Sequence, residues 1–331
     1  MRHALRLEEL VVGRRVVVRH RLPDGAASDA LGELVAADAE RLVVATRRGE
    51  VVVARRDVLA AKGVPPAPSR AARTGAAQVG AETLELVAAE HWRPGEREDL
   101  GAWRLRAADG FTGRANSALA VGDPGCDLDS ALTRVREFYA ARGLEAVVAA
   151  PTGDLTAELQ RRGWTVRTPT LVMTADLPTG GGSASGIALD AGVVLDDEPD
   201  DAWLAAYQGR GPVGQAGRQV LLSADEQVFA SVRERSVGRD AGGEVLAVAR
   251  GSLSAHPEGA WLGLSAVETS PAHRRRGLAL RVTGALLAWG AQRGARAAFL
   301  QVAVSNTAAR ALYERAGFTA HHEYRYLVAP S

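Results

Sequence analysis

One junction constrains this chain more than any other: Arg274-Arg275-Arg276-Gly277-Leu278-Ala279, set between an apolar run and an apolar-periodic segment. Upstream, Leu262, Leu264, Ala266 and Val267 form an apolar run broken by Ser265, which reads as a buried strand bounded by Pro271. Downstream, Leu278, Val282, Leu286 and Trp289 recur at helical spacing. Gly277 and Ala279 are small enough for an anion to approach the backbone closely. A helix N-terminus then offers it unpaired N–H groups and a partial positive charge. Arg274, Arg275 and Arg276 add charge at the rim. In chemical terms this is a strand–turn–helix cradle for a diphosphate. A short glycine pattern is weak by itself, and a plain turn with solvated arginines fits it as well.

A second segment, Asn306 to Phe318, narrows the choice. Asn306 is placed to cap a helix through Leu312 and Tyr313, which Gly317 ends before Phe318 opens the next strand. Ala309 and Tyr313 are four residues apart and share a face with Asn306. A small residue beside an aromatic hydroxyl leaves room for a slender chain such as pantetheine. Taken alone, Tyr313 also fits a core tyrosine with its hydroxyl at the surface.

Together the two segments resemble the GNAT superfamily of N-acetyltransferases, through R-x-x-G-x-A and N-x-x-A-x-x-L-Y-x-x-x-G-F. The resemblance implies acetyl-CoA as co-substrate, its diphosphate on the amides of the Arg274–Ala279 loop. It implies backbone pairing of the pantetheine arm with Val267 to Thr269 and coenzyme contacts from Asn306 and Ala309. It also implies a proton from Tyr313 to the departing thiolate. The resemblance extends over residues 187–331.

The rest of the chain divides into further units. Val-rich runs separated by turn signals over residues 1–62 read as a small β-barrel, SH3-like in size. Twelve basic against nine acidic residues there leave DNA binding open without forcing it. The barrel reads first as a module for a protein partner. Residues 63–81, with Pro65, Pro66 and Pro68, read as a linker, as do residues 178–186 with three consecutive glycines.

Between the linkers, residues 82–177 hold a weak internal repeat. Leu159-Gln-Arg-Arg-Gly163-Trp164 parallels Tyr313-Glu-Arg-Ala-Gly317-Phe318. Here the helix is entered through Gly122-Asp123-Pro124-Gly125-Cys126-Asp127, and two aspartates oppose an anion. Leu159 stands where the tyrosine should be. This half therefore reads as a degenerate GNAT repeat without coenzyme. Such tandem pairing also resembles mycothiol synthase. The expected architecture is α/β: an SH3-like barrel, then a degenerate tandem pair of GNAT folds, each a mixed sheet flanked by helices.

Net charge of +1 argues against a broadly basic nucleic-acid binder. No apolar stretch is long enough to span a bilayer, and the single Cys126 fits a reducing cytoplasm. Lys62 is the only lysine, the coding bias of a GC-rich genome such as an actinobacterium's.

The acceptor is read as a primary amine. Deprotonating a lysine with pKa of about 10.4 at pH 7 costs about 4–5 kcal/mol, so a general base is expected. Glu268 is the candidate base, with pairing to Arg274 or Arg275 as its alternative role. Glu323, His321 and His322 are candidates for the acceptor wall, with the two histidines expected on opposite strand faces and no metal site expected. Tyr207, Asp225 and Glu226 fall in the segment that the resemblance makes an acceptor wall, and read as packing or surface residues. The reaction expected is direct amine attack on the thioester. The alternatives are a coenzyme sensor without catalysis and a mycothiol-synthase-like small-molecule acetyltransferase. An intact Tyr313 favours the enzyme.

Overall fold

The Val-rich runs of the first sixty residues become strands because β-branched side chains alternate between a filled interior and solvent. In the computed structural model of the protein, the residues described are 12–13, 15–22, 25–46, 49–63, 75–151, 153–178, 190, 192–207, 213–234, 243–256 and 259–330. Most of the expected linkers at 63–81 and 178–186, and the turn at Pro23-Asp24, lie outside them. Contacts divide the chain into residues 1–74 and residues 75–331.

In the first unit, β1 (Arg15–Arg21), β2 (Ala27–Ala37), β3 (Arg41–Thr46), β4 (Gly49–Ala54) and β5 (Val58–Gly63) form one antiparallel sheet in the order β4-β3-β2-β1-β5. Val16, Val18, Leu34, Leu42, Val44 and Val53 fill its core. Gly32 lets β2 lie close against β3, since a Cβ there would overlap the Ala45 carbonyl.

The second unit opens with α1 (Ala81–Glu90) and then runs through two like series. The first is β6 (Glu96–Leu100), β7 (Trp103–Ala107), β8 (Ala118–Leu119), α2 (Leu128–Ala140), β9 (Val147–Pro151), α3 (Asp154–Arg161) and β10 (Thr165–Asp176). Next come β11 (Val194–Asp196), α4 (Asp201–Ala206) and α5 (Gln215–Leu221). The second series is β12 (Glu226–Arg233), β13 (Val245–Ser254), β14 (Trp261–Thr269), α6 (Leu278–Gln292), β15 (Ala297–Ala303), α7 (Thr307–Arg315) and β16 (Thr319–Val328). Both series order their elements strand–strand–strand–helix–strand–helix–strand, with a parallel pair at β8–β9 and at β14–β15.

The repeat is physical as well as sequential. α3 and α7 end alike, with Gly163 and Gly317 at φ +82° and +92°. Trp164 N donates to Leu159 O and Phe318 N donates to Tyr313 O, both at 3.0 Å. Each is a left-handed glycine cap that turns the next aromatic residue into the core. Trp164 and Phe318 are both buried, and burying a side chain of that size contributes about 1.5–3 kcal/mol.

The two series share one sheet of eleven strands, ordered β11-β12-β13-β14-β15-β10-β16-β9-β8-β7-β6. β10, the last strand of the first series, lies between β15 and β16. β16 in turn lies between β10 and β9. Each half therefore completes the other half's sheet.

Helices cover both faces. On one, α6 and α7 pack on Leu171, Met173, Leu300 and Val302, while α2 and α3 pack on Leu105, Val148 and Ala150. On the other, α1 packs through Leu84, Val87 and Ala88 on Val172, Phe299 and Tyr324. Trp203 of α4 and Leu221 of α5 share that face with Phe229 and Val248. At the end of α1, His91 Nδ1 and Nε2 bond the hydroxyls of Ser252 and Ser254 at 2.9 and 2.6 Å. Burial and then the Arg250 charge push His91 down to about 3, so it is a neutral brace between α1 and β13.

A fragment of residues 187–331 should not fold alone, because β10 is missing and the facing edges of β15 and β16 are bare. Residues 75–331 should give a monodisperse product with a single thermal transition. Size exclusion and circular dichroism of the two products decide this; a cooperative monomer from the shorter one would contradict the shared sheet.

Candidate active site

The site begins where two parallel strands part. Trp261 to Leu264 pair with Ala297 to Leu300, and the pairing stops there. On its other side, β14 bulges against β13: Arg250 faces Ser265 but Val248 faces Glu268, so Ala266 and Val267 oppose the single residue Ala249. Ala266 takes φ +52°, a left-handed conformation that costs a non-glycine residue about 1–3 kcal/mol. The bulge re-aims β14 away from β15, which continues along β10 from Gln301. A slot opens between the two strands, with the backbone of Val267 to Thr269 along one wall.

Beyond Thr269 the chain makes a 3₁₀ turn at Pro271–His273 and enters α6. Arg275 and Gly277 both take positive φ, +62° and +77°. A Cβ at Gly277 would meet nothing within 4 Å, so open space lies over the helix end. No side chain caps this N-terminus, and its amides face outward. Leu278 anchors the first turn in the core, while Ala279 is half-buried behind it. Arg274 pairs with Glu268 at 3.5 Å, whereas Arg275 and Arg276 have no carboxylate partner among the described residues. A cleft of about 580 Å³ is lined by Glu268, Thr269, Ser270, Arg274, Ala206 and Glu244.

The corresponding helix end in the first half is built differently. Asp127 caps α2, accepting from the Ser130 amide at 3.0 Å and its hydroxyl at 2.6 Å. Those bonds hold its carboxyl below the usual carboxylate range. Asp123 accepts from the Gly125 amide at 2.7 Å. The anion position there is filled by the chain's own carboxylate.

Asn306 caps α7, its Oδ1 accepting from Ala309 N at 3.1 Å. Ala309 packs on the core beside Tyr313, whose ring meets Phe318 edge-on at 6.0 Å. Burial pushes the Tyr313 phenol up to about 12; the Glu268 charge adds to this and the Arg114 charge opposes it. Tyr313, Glu268 and Arg114 thus lie within electrostatic reach of one another. The Tyr313 hydroxyl has no hydrogen-bond partner among the described residues.

The acceptor-wall candidates divide. Tyr207 packs against Trp203 and Phe111, and Asp225 forms a two-bond pair with Arg93 at 2.8 and 3.0 Å. Glu226 pairs with Arg293. His321 and His322 do not point to opposite faces as expected: β16 bulges between Ala320 and His322 against the adjacent Met173 and Val172. The bulge brings both rings together, Nδ1 to Nδ1 at 2.8 Å. Among the described residues, no three His, Cys, Asp or Glu side chains are grouped to hold a metal.

Arg114, Gln301 and Glu85, which line one small cavity from the first half, from β15 and from α1, carried no signal in the sequence as a set. None sits in a recognisable motif. Glu85, on a helix face otherwise packed with Leu84, Val87 and Ala88, was the one available signal.

The phenol should stay protonated through the neutral range. From pH 10.0 to about 12 the folded state keeps a proton that the unfolded chain has lost, so stability falls across that window. An absorbance titration of the protein against Tyr313→Phe should show no Tyr313 phenolate below about pH 11. Ionisation at an ordinary tyrosine pH would contradict the burial of the Tyr313 side chain.

Comparison with known proteins shows the family and agrees with the fold. Residues 80–327 match the family described as probable histone acetyltransferase Rv0428c C-terminal, and residues 10–62 match the Rv0428c N-terminal Sm-like domain. The barrel, read as SH3-like in size, is thus matched as Sm-like. The "Probable histone acetyltransferase Rv0428c" of Mycobacterium tuberculosis is 34% identical over 332 residues, covering 97% of this chain and 96% of its own. Among solved structures, a GCN5-related N-acetyltransferase from Kribbella flavida aligns with a TM-score of 0.56 at 16% identity, over 77% of this chain and 97% of its own. A tandem GNAT protein from the clavulanic acid biosynthesis pathway aligns with a TM-score of 0.50 at 15% identity, over 79% and 92%. The chain belongs to the Rv0428c family of probable acetyltransferases, an Sm-like barrel followed by a tandem GNAT fold.

Proposed function

We propose that the protein moves the acetyl group of acetyl-CoA to a primary amine by direct attack, using only the second half of its tandem fold. The contrast between two helix ends carries this reading: α6 is uncapped and opened by Gly277, whereas α2 is closed by Asp127. The diphosphate would lie on the amides of residues 275–279, with Arg275 and Arg276 at its rim. Pantetheine would enter between β14 and β15 and extend the sheet by pairing with Val267 to Thr269. Asn306 and Ala309 border the same chain from α7.

In this site the amine's lone pair attacks the thioester carbon, and Tyr313 gives a proton to the leaving sulfur. Glu268, on the coenzyme side and paired with Arg274, is a carboxylate available to the same slot. The relative's description as a probable histone acetyltransferase directs the acceptor toward a lysine side chain of a protein, with the barrel as the module that would meet that protein. We place the activity in the cytoplasm, from the single cysteine; among the described residues no helix is long and apolar enough to cross a membrane.

Calorimetry with acetyl-CoA tests the reading. It should give one site per chain. Gly277→Asp should abolish binding, since it sets a carboxylate where the diphosphate lies. Tyr313→Phe should keep affinity within a few-fold while lowering turnover by about 10²–10⁴-fold. Two equivalent sites, or tight binding by Gly277→Asp, would contradict the assignment.

A further inference from the structure

A hydrogen-bonded chain runs from inside the molecule toward its surface beside the slot. Glu85, buried on α1, bonds His322 Nε2 at 3.1 Å. His322 Nδ1 meets His321 Nδ1 at 2.8 Å, and His321 Nε2 meets the Val79 carbonyl at 2.8 Å. Both ends of this chain only accept: a carbonyl at one, a carboxylate at the other. Three hydrogen bonds need three protons, and two neutral imidazoles supply two. The chain is therefore complete only when it holds one added proton. Without that proton, one of the three contacts sets lone pairs face to face.

The inner end of the chain opens on a cavity. Glu85, Gln301, Arg114, Tyr324 and Tyr326 line a space of about 10 Å³, enough for about one water. Gln301 is the first β15 residue beyond the last parallel pair, so the cavity lies at the apex of the slot. Its Nε2 reaches Glu85 Oε1 at 3.5 Å, while its buried Oε1 has no partner. An unmatched amide oxygen beside a carboxylate is a place for an N–H donor. Arg114, on the same wall, is near enough for its charge to act on Tyr313. The cavity lies on the α1 face of the sheet, and Tyr313 packs on the other.

We propose that Glu85, contributed by the first helix of the degenerate half, takes the proton of the acceptor amine, and that His322 and His321 pass it to the surface near Val79. The proposal rests on the acetyl-transfer reading and names the base for it. An ammonium held between Glu85 and Gln301 gives one proton to the carboxylate, directly or through one water. Its freed electron pair forms the C–N bond as the C–S bond breaks. Tyr313 protonates the sulfur and regains a proton from the nitrogen, so one proton in all leaves through Glu85. That proton completes the hydrogen-bond chain, and half-buried His321 releases it to water. Burial first, then the His322 charge, lower the proton affinity of His321, which suits it to release; the Val79 carbonyl and Glu85 oppose this. The charged and titratable groups facing the chain are Arg106 from β7, Arg114 from the loop before β8, and Tyr324 and Tyr326 from β16.

The test follows thiol release from full-length protein with acetyl-CoA, using poly-L-lysine and then water alone as acceptor, from about pH 6 to 9. Wild-type kcat/KM should rise with unit slope and then level. Glu85→Gln, isosteric and able to donate to His322, should lose that limb and fall by about 10²–10⁴-fold with coenzyme affinity unchanged. Glu85→Asp should keep the limb at a reduced rate. His322→Asn should move the limb and cost about 10–100-fold, as expected of a positioning residue. Ring ¹⁵N shifts supply a readout without turnover: His321 and His322 should share one added proton in the wild type at pH values below the limb, give it up above the limb, and lack it in Glu85→Gln. Two neutral histidines throughout, an unchanged limb in Glu85→Gln, or loss of the limb only in Glu268→Gln would overturn the proposal. Failure of the wild type to bind acetyl-CoA would instead overturn the acetyl-transfer reading beneath it.

Discussion

Everything the second half can do follows from one interruption in a sheet. Two parallel strands that would have bonded along their length stop after Leu264 and Leu300, because an extra residue at Ala266 turns one of them aside. Unpaired backbone inside a sheet is costly unless something else bonds it, at about 1–3 kcal/mol for each buried group left without a partner. The wall of β14 beyond Ser265 is half-exposed, and the proposed pantetheine arm would bond there. The strained Ala266 is tolerated because β13 on one side and the cluster of Trp203, Leu221 and Phe229 against which it packs over-determine its position.

β15 would be left with a free edge on its far side were it not for β10. That strand crosses from the first half and pairs with β15 over seven residues, from Thr170 with Ala303 to Asp176 with Ala297. In the first half Asp127 caps the end of α2 and a buried Leu159 stands where the second half has Tyr313, the contrast on which the proposed single coenzyme site rests. The first half remains bound to the second by this exchange of strands. It also supplies α1 and Arg114 to the face where an acceptor would enter, so loss of one activity leaves a structural and a lining role intact.

Much of this was legible in single residues. Gly277 announced a place where the backbone can be closely approached, Asn306 a cap and Gly317 a terminator, because each of these jobs suits very few side chains. The repeat showed itself in Leu159 to Trp164 for the same reason: glycine caps tolerate little variation. What stayed hidden depends on partners distant in sequence. Nothing local marks Thr165–Asp176 as the strand that separates β15 from β16, since an apolar strand fits any sheet. Strict alternation set His321 and His322 on opposite faces, and only the register against Met173 and Val172 shows the bulge that joins them. Glu85 looked like one polar residue on a helix, and its meaning comes from β15 and β16, more than two hundred residues away.

The most direct measurement is a crystal structure of the full chain grown with coenzyme A. The account predicts the diphosphate on the amides of residues 275–279 and the pantetheine arm bonded to Val267 and Thr269 in the slot. It also predicts the sulfur within hydrogen-bond reach of the Tyr313 hydroxyl and an empty loop at 122–127. Coenzyme bound at the α2 end, or lying outside a slot that has closed by pairing β14 to β15 beyond Leu264, would contradict it.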